Sequence, residues 1–195
     1  MPKATRNATR PLPKPPDEAT LRESALAHLA RFAATQAGLT RVLNRRIDRW
    51  ARAAEGAGLE AEAIAAALRK ARVAVPAVVD ALSAVGAVDD AAFADGRARR
   101  LTRQGKSRRA TLAHLAGKGV DSALAESVVP EDPARDLAAA CAYLRRRRLP
   151  PFGPGERVRT LAALARGGFA RDIAERAVDL DLDEADAALS VLRQT

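Results

Sequence analysis

Residues 111–129, TLAHLAGKGVDSALAESVV, and residues 160–178, TLAALARGGFARDIAERAV, align at an offset of 49 without a gap. Nine of the 19 positions are identical, among them Thr111/Thr160, Leu112/Leu161, Leu115/Leu164, Gly119/Gly168 and Val129/Val178. Alanine richness inflates such a count. The matched leucines, the glycine and the apolar residue after it (Val120/Phe169) are harder to obtain by chance. Leucines three and four apart mark one face of a helix, and the glycine ends it. Ser107 and Asp121 are suitable N-caps for the two short helices of the first copy.

Each copy is preceded by a basic amphipathic segment. In 90–103 the stripe is Phe93, Ala94, Ala98 and Leu101; in 134–147 it is Leu137, Ala140, Cys141 and Leu144. The unit is therefore three helices, one longer and two short. Residues 17–88 read as a diverged first copy with an insert near 55–72. Residues 89–130 are the second copy and 131–179 the third. One unit has too little apolar surface to stand alone, so stacking of copies predicts an elongated, curved, all-α array.

Within 17–88, Leu21, Ala25, Leu29 and Phe32 share a helical face that Gly38 breaks, and Thr40 is the expected cap of the next helix. There Leu43, Ile47, Trp50, Ala51 and Ala54 form the apolar stripe, opposite Arg41, Arg45, Arg49 and Arg52. A helix over 60–72 and a separate short one with Pro76 in its first turn are expected to follow. Residues 1–16 hold five prolines and Lys3, Arg6, Arg10 and Lys14 without an acid, which predicts a disordered basic tail. Residues 180–195 read as an acidic stretch followed by weak helix, with a solvated tail favoured over imitation of nucleic acid.

Composition agrees with helix. Of 195 residues, 47 are alanine, while strand formers are scarce at 13 Val, 3 Ile and 6 aromatics. β-Sandwich, barrel and large doubly wound sheet are excluded on this basis. A single cysteine makes no intrachain disulfide, and two distant histidines make no His-rich metal site. No apolar run reaches transmembrane length and no signal peptide is visible, so a cytoplasmic protein is expected. Catalytic constellations and phosphate-cradling glycine loops are not recognisable, so neither an enzyme nor a cofactor is expected.

The segment 76–120 resembles the RecX family of recombinase regulators. The residues carrying the likeness are Gly86, Asp89-Asp90, Phe93-Ala94, Gly105-Lys106-Ser107-Arg108 and Lys118-Gly119-Val120, with Gly168-Phe169 repeating the family's turn. The likeness spans roughly residues 20–179 and is strongest over 76–129 and 160–178. The tail 1–16, the insert and the loop 149–155 depart from the compact family pattern. The resemblance implies tandem three-helix repeats that bind RecA and its nucleoprotein filament. It further implies restraint of ATP hydrolysis, strand exchange and the co-protease activity behind the SOS response, without enzymatic activity.

Net charge is +9, which suits an acidic partner. A GC-rich genome alone would also favour 28 arginines over 5 lysines. The densest patch is Arg97, Arg99, Arg100, Arg103, Lys106, Arg108 and Arg109, seven cations in 13 residues with no acid among them. It is a candidate face for phosphates or for an acidic recombinase surface, set against a plain solvated helix face. The run Arg145, Arg146, Arg147, Arg148 is the second candidate, pointing around its helix with some stems partly buried. Trp50, Phe169 and Cys141 read as core, His28 as core edge and His114 as exposed. The expected protein is a monomer that uses RecA as main partner and single-stranded DNA as auxiliary ligand. The alternative is a free-standing helical DNA- or RNA-binding protein.

Overall fold

A computed structural model describes residues 14–190 and Leu192; the first part of the basic tail, residues 1–13, lies outside the described residues. Among the described residues there are ten helices and no strand. The chain falls into two compact units, divided between Asp89 and Asp90.

The first unit holds α1 (Glu18–Leu29), α2 (Gln36–Gly56) and α3 (Ala61–Ala84). Asp17 and Thr20 form a capping box that starts α1. The core joins Leu21 and Ala25 of α1, Leu39, Leu43 and Ile47 of α2, and Val75, Val78, Val79 and Leu82 of α3. On α2 the buried residues Leu39, Leu43, Ile47, Trp50 and Ala54 recur every three or four positions. One helix face thus supplies most of the surface on which α3 packs.

Three local expectations are corrected here. Helix α1 ends at Leu29, so Phe32 leaves the stripe and is 54% exposed. Helix α2 starts earlier than expected. Thr35, with extended φ/ψ, is the N-cap and its Oγ1 accepts from the Gly38 amide at 2.9 Å. The cap stabilises the first turn, so Gly38 does not break the helix, and Thr40 donates to the Gln36 carbonyl within it. Finally, α3 runs straight through Pro76 instead of restarting there. An interior proline costs about 3 kcal/mol. Burial of Ala71, Val75, Val78, Val79 and Leu82 on both sides of it offsets that cost. The stretch 55–72 comprises the end of α2, a turn with Gly58 at φ 82° and the first half of α3.

The second unit holds α4 (Asp90–Arg103), α5 (Arg108–Lys118), α6 (Ser122–Val128), α7 (Pro133–Arg147), α8 (Arg157–Arg166), α9 (Arg171–Asp179) and α10 (Leu182–Ser190). Helices α5 and α8 start 49 residues apart, as do α6 and α9. The glycines after α5 and α8 share the left-handed conformation, Gly119 at φ 84° and Gly168 at φ 82°. Thr111/Thr160 and Leu115/Leu164 are buried pairs, and Val120/Phe169 plug the two turns. Leu112 and Leu161 are only half-buried.

Two clusters fill this unit. Ala94, Ala98, Leu115, Val120, Ala125 and Val129 join α4, α5 and α6. Leu137, Cys141, Leu144, Leu164, Phe169 and Ile173 join α7, α8 and α9. The latter cluster also takes in Ala185, Leu189 and Leu192. Among the described residues α10 thus packs on α7, while Asp181, Asp183, Glu184 and Asp186 are exposed.

Candidate functional site

Gly105 sits in the turn after α4 at φ 68°, and a Cβ there would lie 2.5 Å from the Tyr143 backbone nitrogen. Only glycine allows the α4–α5 turn to rest on the backbone of α7. That approach joins two basic segments that lie some forty residues apart in the chain. Gln104, Gly105, Lys106, Tyr143, Arg146 and Arg147 line one small cleft of about 100 Å³. Arg146 donates from its guanidinium to the Gln104 carbonyl, and the Arg147 guanidinium lies 4.4 Å from the centre of the Tyr143 ring. Tyr143 is itself fixed, donating to the Ala163 carbonyl at 2.9 Å and meeting Phe169 edge-on.

The cations of this cluster cap helix ends. Arg100 and Arg103 occupy the last turn of α4, and Arg145, Arg146 and Arg147 the last turn of α7. There they complement the negative end of the helix dipole. Among the described residues no carboxylate pairs with Arg100, Arg103, Lys106, Arg109, Arg146, Arg147 or Arg148. All seven are exposed. Arrayed donors without local acids suit phosphate oxygens or carboxylates of a partner.

The remaining cations of the two segments have other attachments. Arg99 pairs with Asp95 at 2.5 Å, one turn back on α4. Arg145 lies 4.0 Å from Asp186. Arg97 is half-buried, and its Nε donates to His114 Nε2 at 2.9 Å. His114 is accordingly half-buried, not exposed, and burial first, then Arg97, Lys118 and Lys106, holds its pKa below the usual value. Arg108 turns inward. Its Nε donates to the Val129 carbonyl at 2.9 Å and its guanidinium reaches Glu131 at 3.7 Å. It ties the start of α5 to the end of α6.

All four arginines of the run at 145–148 are exposed, and Arg147 packs over the Tyr143 ring. Leu144 is the last buried residue of α7, and Arg148 closes the helix in the left-handed conformation at φ 53°. Arg145, Arg146 and Arg147 thus point around the last turn of α7, beyond its buried part.

Arg108 and Arg109 also edge a wider cleft of about 540 Å³ with Leu112, Asp136, Phe169 and Ile173. Burial raises the Asp136 carboxyl above its ordinary value even with Arg108 nearby. Cys141 is fully buried, and burial, then Asp186, pushes its thiol up to about 11. At that value the thiol is protonated near neutrality. Among the described residues no group of His, Cys, Asp and Glu is arranged to hold a metal. Among them no helix is long and apolar enough to cross a membrane.

Comparison with known proteins follows the same residues. The family model described as RecX, second three-helix domain, matches residues 89–129, the stretch that folds as α4, α5 and α6. Regulatory protein RecX of Myxococcus xanthus is 36% identical over 168 residues, covering 82% of this chain and 84% of that protein. Regulatory protein RecX of Agrobacterium fabrum is 33% identical over 114 residues, 54% of this chain and 59% of that protein. The Mycobacterium ulcerans protein of the same name is 39% identical over 111 residues, 54% of this chain and 64% of that protein. No solved structure gives a significant match. With a relative of that identity aligned over most of both chains, and the family's own three-helix domain falling on α4–α6, this chain belongs to the RecX family of regulatory proteins.

Proposed function

We propose that this protein binds RecA and its nucleoprotein filament as a monomer and restrains recombinase, ATPase and co-protease activity. DNA repair and the SOS response would be damped accordingly. Single-stranded DNA is an auxiliary ligand, and no catalytic step or cofactor is involved. The observation that carries the reading is the convergence of Lys106 with Arg146 and Arg147 around the Gly105–Tyr143 contact. Arg100, Arg103 and Arg109 extend the unpaired cations along the neighbouring elements. A cytoplasmic location follows from the partner. The parsing into three repeats at 17–88, 89–130 and 131–179 belongs to the same reading, since each repeat would offer the filament a comparable helical face.

The test replaces Arg100, Arg103 and Lys106 with Ala, three exposed side chains with no role in the core. Inhibition of RecA's DNA-dependent ATPase should weaken sharply while the melting curve stays in place. If the face meets phosphates, the log–log salt slope for single strands should fall by about 0.7 per lost contact. If it meets RecA, binding should fall without DNA present. Unchanged inhibition at the original dose would refute the assignment. Tight duplex binding with no effect on RecA would favour the free-standing nucleic-acid-binding protein.

A further inference from the structure

Inside the second unit, the start of α5 seats on the turn after α8. Ser107 donates to the Gly167 carbonyl at 2.7 Å. A Cβ at Gly168 would lie 2.9 Å from Ser107 Oγ and 3.7 Å from Arg109 Cβ. Both halves of this contact recur elsewhere in the chain, each without the other.

The turn recurs between α2 and α3. Ala57 is the C-cap of α2 as Gly167 is of α8, and Gly58 matches Gly168 at φ 82°. The backbone bonds match too. Gly58 and Leu59 donate to the Glu55 and Ala54 carbonyls, as Gly168 and Phe169 donate to those of Ala165 and Leu164. Four residues past each glycine an acid stands in the first helical turn, Glu62 or Asp172. Yet a Cβ at Gly58 would meet nothing within 4 Å, and Leu59 is only half-buried.

The helix start recurs at α8. At the offset of 49, Ser107, Arg108, Arg109 and Leu112 correspond to Glu156, Arg157, Val158 and Leu161. Arg157 bonds Asp179 at the end of α9, as Arg108 bonds Val129 at the end of α6. Val158, in the place of Arg109, is nevertheless 77% exposed.

The two open surfaces complement each other. Val158 and Leu59 offer apolar contact. Glu55, Glu60 and Glu62 are exposed around the turn and make no ion pair among the described residues. The α8 start presents Arg157 and Arg159. Glu156, paired with Arg159 at 3.1 Å, cannot donate to the Ala57 carbonyl as Ser107 does to that of Gly167. Attraction between the arginines and the acidic turn stands in for that bond.

We infer that copies of this chain associate head to tail, the α8 start of one seating on the Ala57–Leu59 turn of the next. One helix start on one turn is small beside the roughly 1,200 Å² of a stable interface, so the free chain remains a monomer. Copies held next to each other on a polymeric partner make the contact at high effective concentration. That role rests on the filament reading above; the contact itself does not.

The test makes Val158→Cys and Gly58→Cys as separate full-length chains, with the buried Cys141 left in place. By analogy with Gly168 and Arg109, the new Cβ atoms fall within the disulfide range of about 3.5–4.5 Å. Mixed at high concentration without RecA and oxidised, they should give mixed dimers well above the half share expected of random pairing. Arg159→Glu in the first chain should lower that yield by about fivefold, and Glu62→Arg in the second should recover much of it. Glu60→Cys replaces Gly58→Cys should the latter fold poorly. The Arg100→Ala, Arg103→Ala, Lys106→Ala background should cross-link like the parent whatever it does to RecA, so the two readings fail separately. A yield at the random share, or one that ignores both charge changes, overturns the contact.

Discussion

The hydroxyl of Ser107 donates to the Gly167 carbonyl at 2.7 Å, and the same oxygen accepts from the Ala110 amide at 3.2 Å. One buried side chain thus caps α5 and fastens it to the turn between α8 and α9. The two aligned segments of the sequence meet at this point. Gly168 completes the contact, because a Cβ there would stand 2.9 Å from Ser107 Oγ. Ser107→Ala removes a cap and a donor together and should cost about 1–3 kcal/mol in chemical denaturation. Gly168→Val combines the steric clash with a left-handed backbone and should cost at least as much. An unchanged midpoint for both would show that the junction contributes nothing.

Leu115 and Leu164 occupy equivalent positions and are both fully buried. Leu115→Ala and Leu164→Ala should each destabilise by roughly 2–5 kcal/mol. Leu112→Ala and Leu161→Ala, at half-buried positions, should cost clearly less. A large loss at Leu115 with none at Leu164 would mean that the matched positions are not structurally equivalent.

What was readable in the sequence was periodic. Glycines at a fixed offset and leucines at helical spacing marked α5, α6, α8 and α9, because a helix face and a left-handed cap each restrict the residues allowed. Single local rules failed where packing outweighed them. Pro76 looked like a helix start, but five buried residues carry α3 through it. Thr40 and Thr35 are equally good caps by type, and only the chain's path selects Thr35. The basic cluster was half legible. Its two segments stood out as charge, but their meeting depends on Gly105 against the Tyr143 backbone, a contact nearly forty residues long that no periodicity encodes. Nor does a charge count show that Arg108 points inward while Lys106 points out.

His114 gives the protein a defined pH response. Its folded pKa lies below the ordinary 6.5, chiefly through burial, with Arg97 the next cause. Below about pH 6.5 the unfolded chain therefore binds the proton more readily than the folded one. Stability contributed by the neutral imidazole is present above that pH and is lost as pH falls toward the depressed folded value. Protonation also removes the acceptor for Arg97. Denaturant midpoints measured between about pH 7.5 and 5.5 should fall with pH, and His114→Gln should flatten the slope. Parallel profiles for the two proteins would remove His114 as the source.

Arg148 is the only described non-glycine residue with positive φ. A side chain in this conformation costs about 1 kcal/mol. Arg148→Gly should therefore raise stability by up to that amount, read as an upward shift of the denaturant midpoint. A fall would show that the arginine side chain contributes more than its backbone strain costs.

Arg108 and Lys106 separate structure from recognition within one short stretch. Arg108 is mostly covered and bonds the Val129 carbonyl, so Arg108→Ala leaves that oxygen without its charged donor. The expected loss is about 1–3 kcal/mol, seen as an earlier unfolding transition. Arg108→Lys should not restore it, because an ammonium lacks the planar guanidinium geometry. Lys106→Ala removes an exposed side chain beside Arg146 and Arg147, so the unfolding transition should stay within about 0.5 kcal/mol of the parent. Its effect should fall on RecA inhibition or on the salt slope for single strands. Combining the two substitutions should add their effects on separate readouts, stability for one and binding for the other. If Arg108→Ala leaves stability intact and weakens binding as Lys106→Ala does, Arg108 belongs to the exposed face, and the inward bond to Val129 is not what holds α5 to α6.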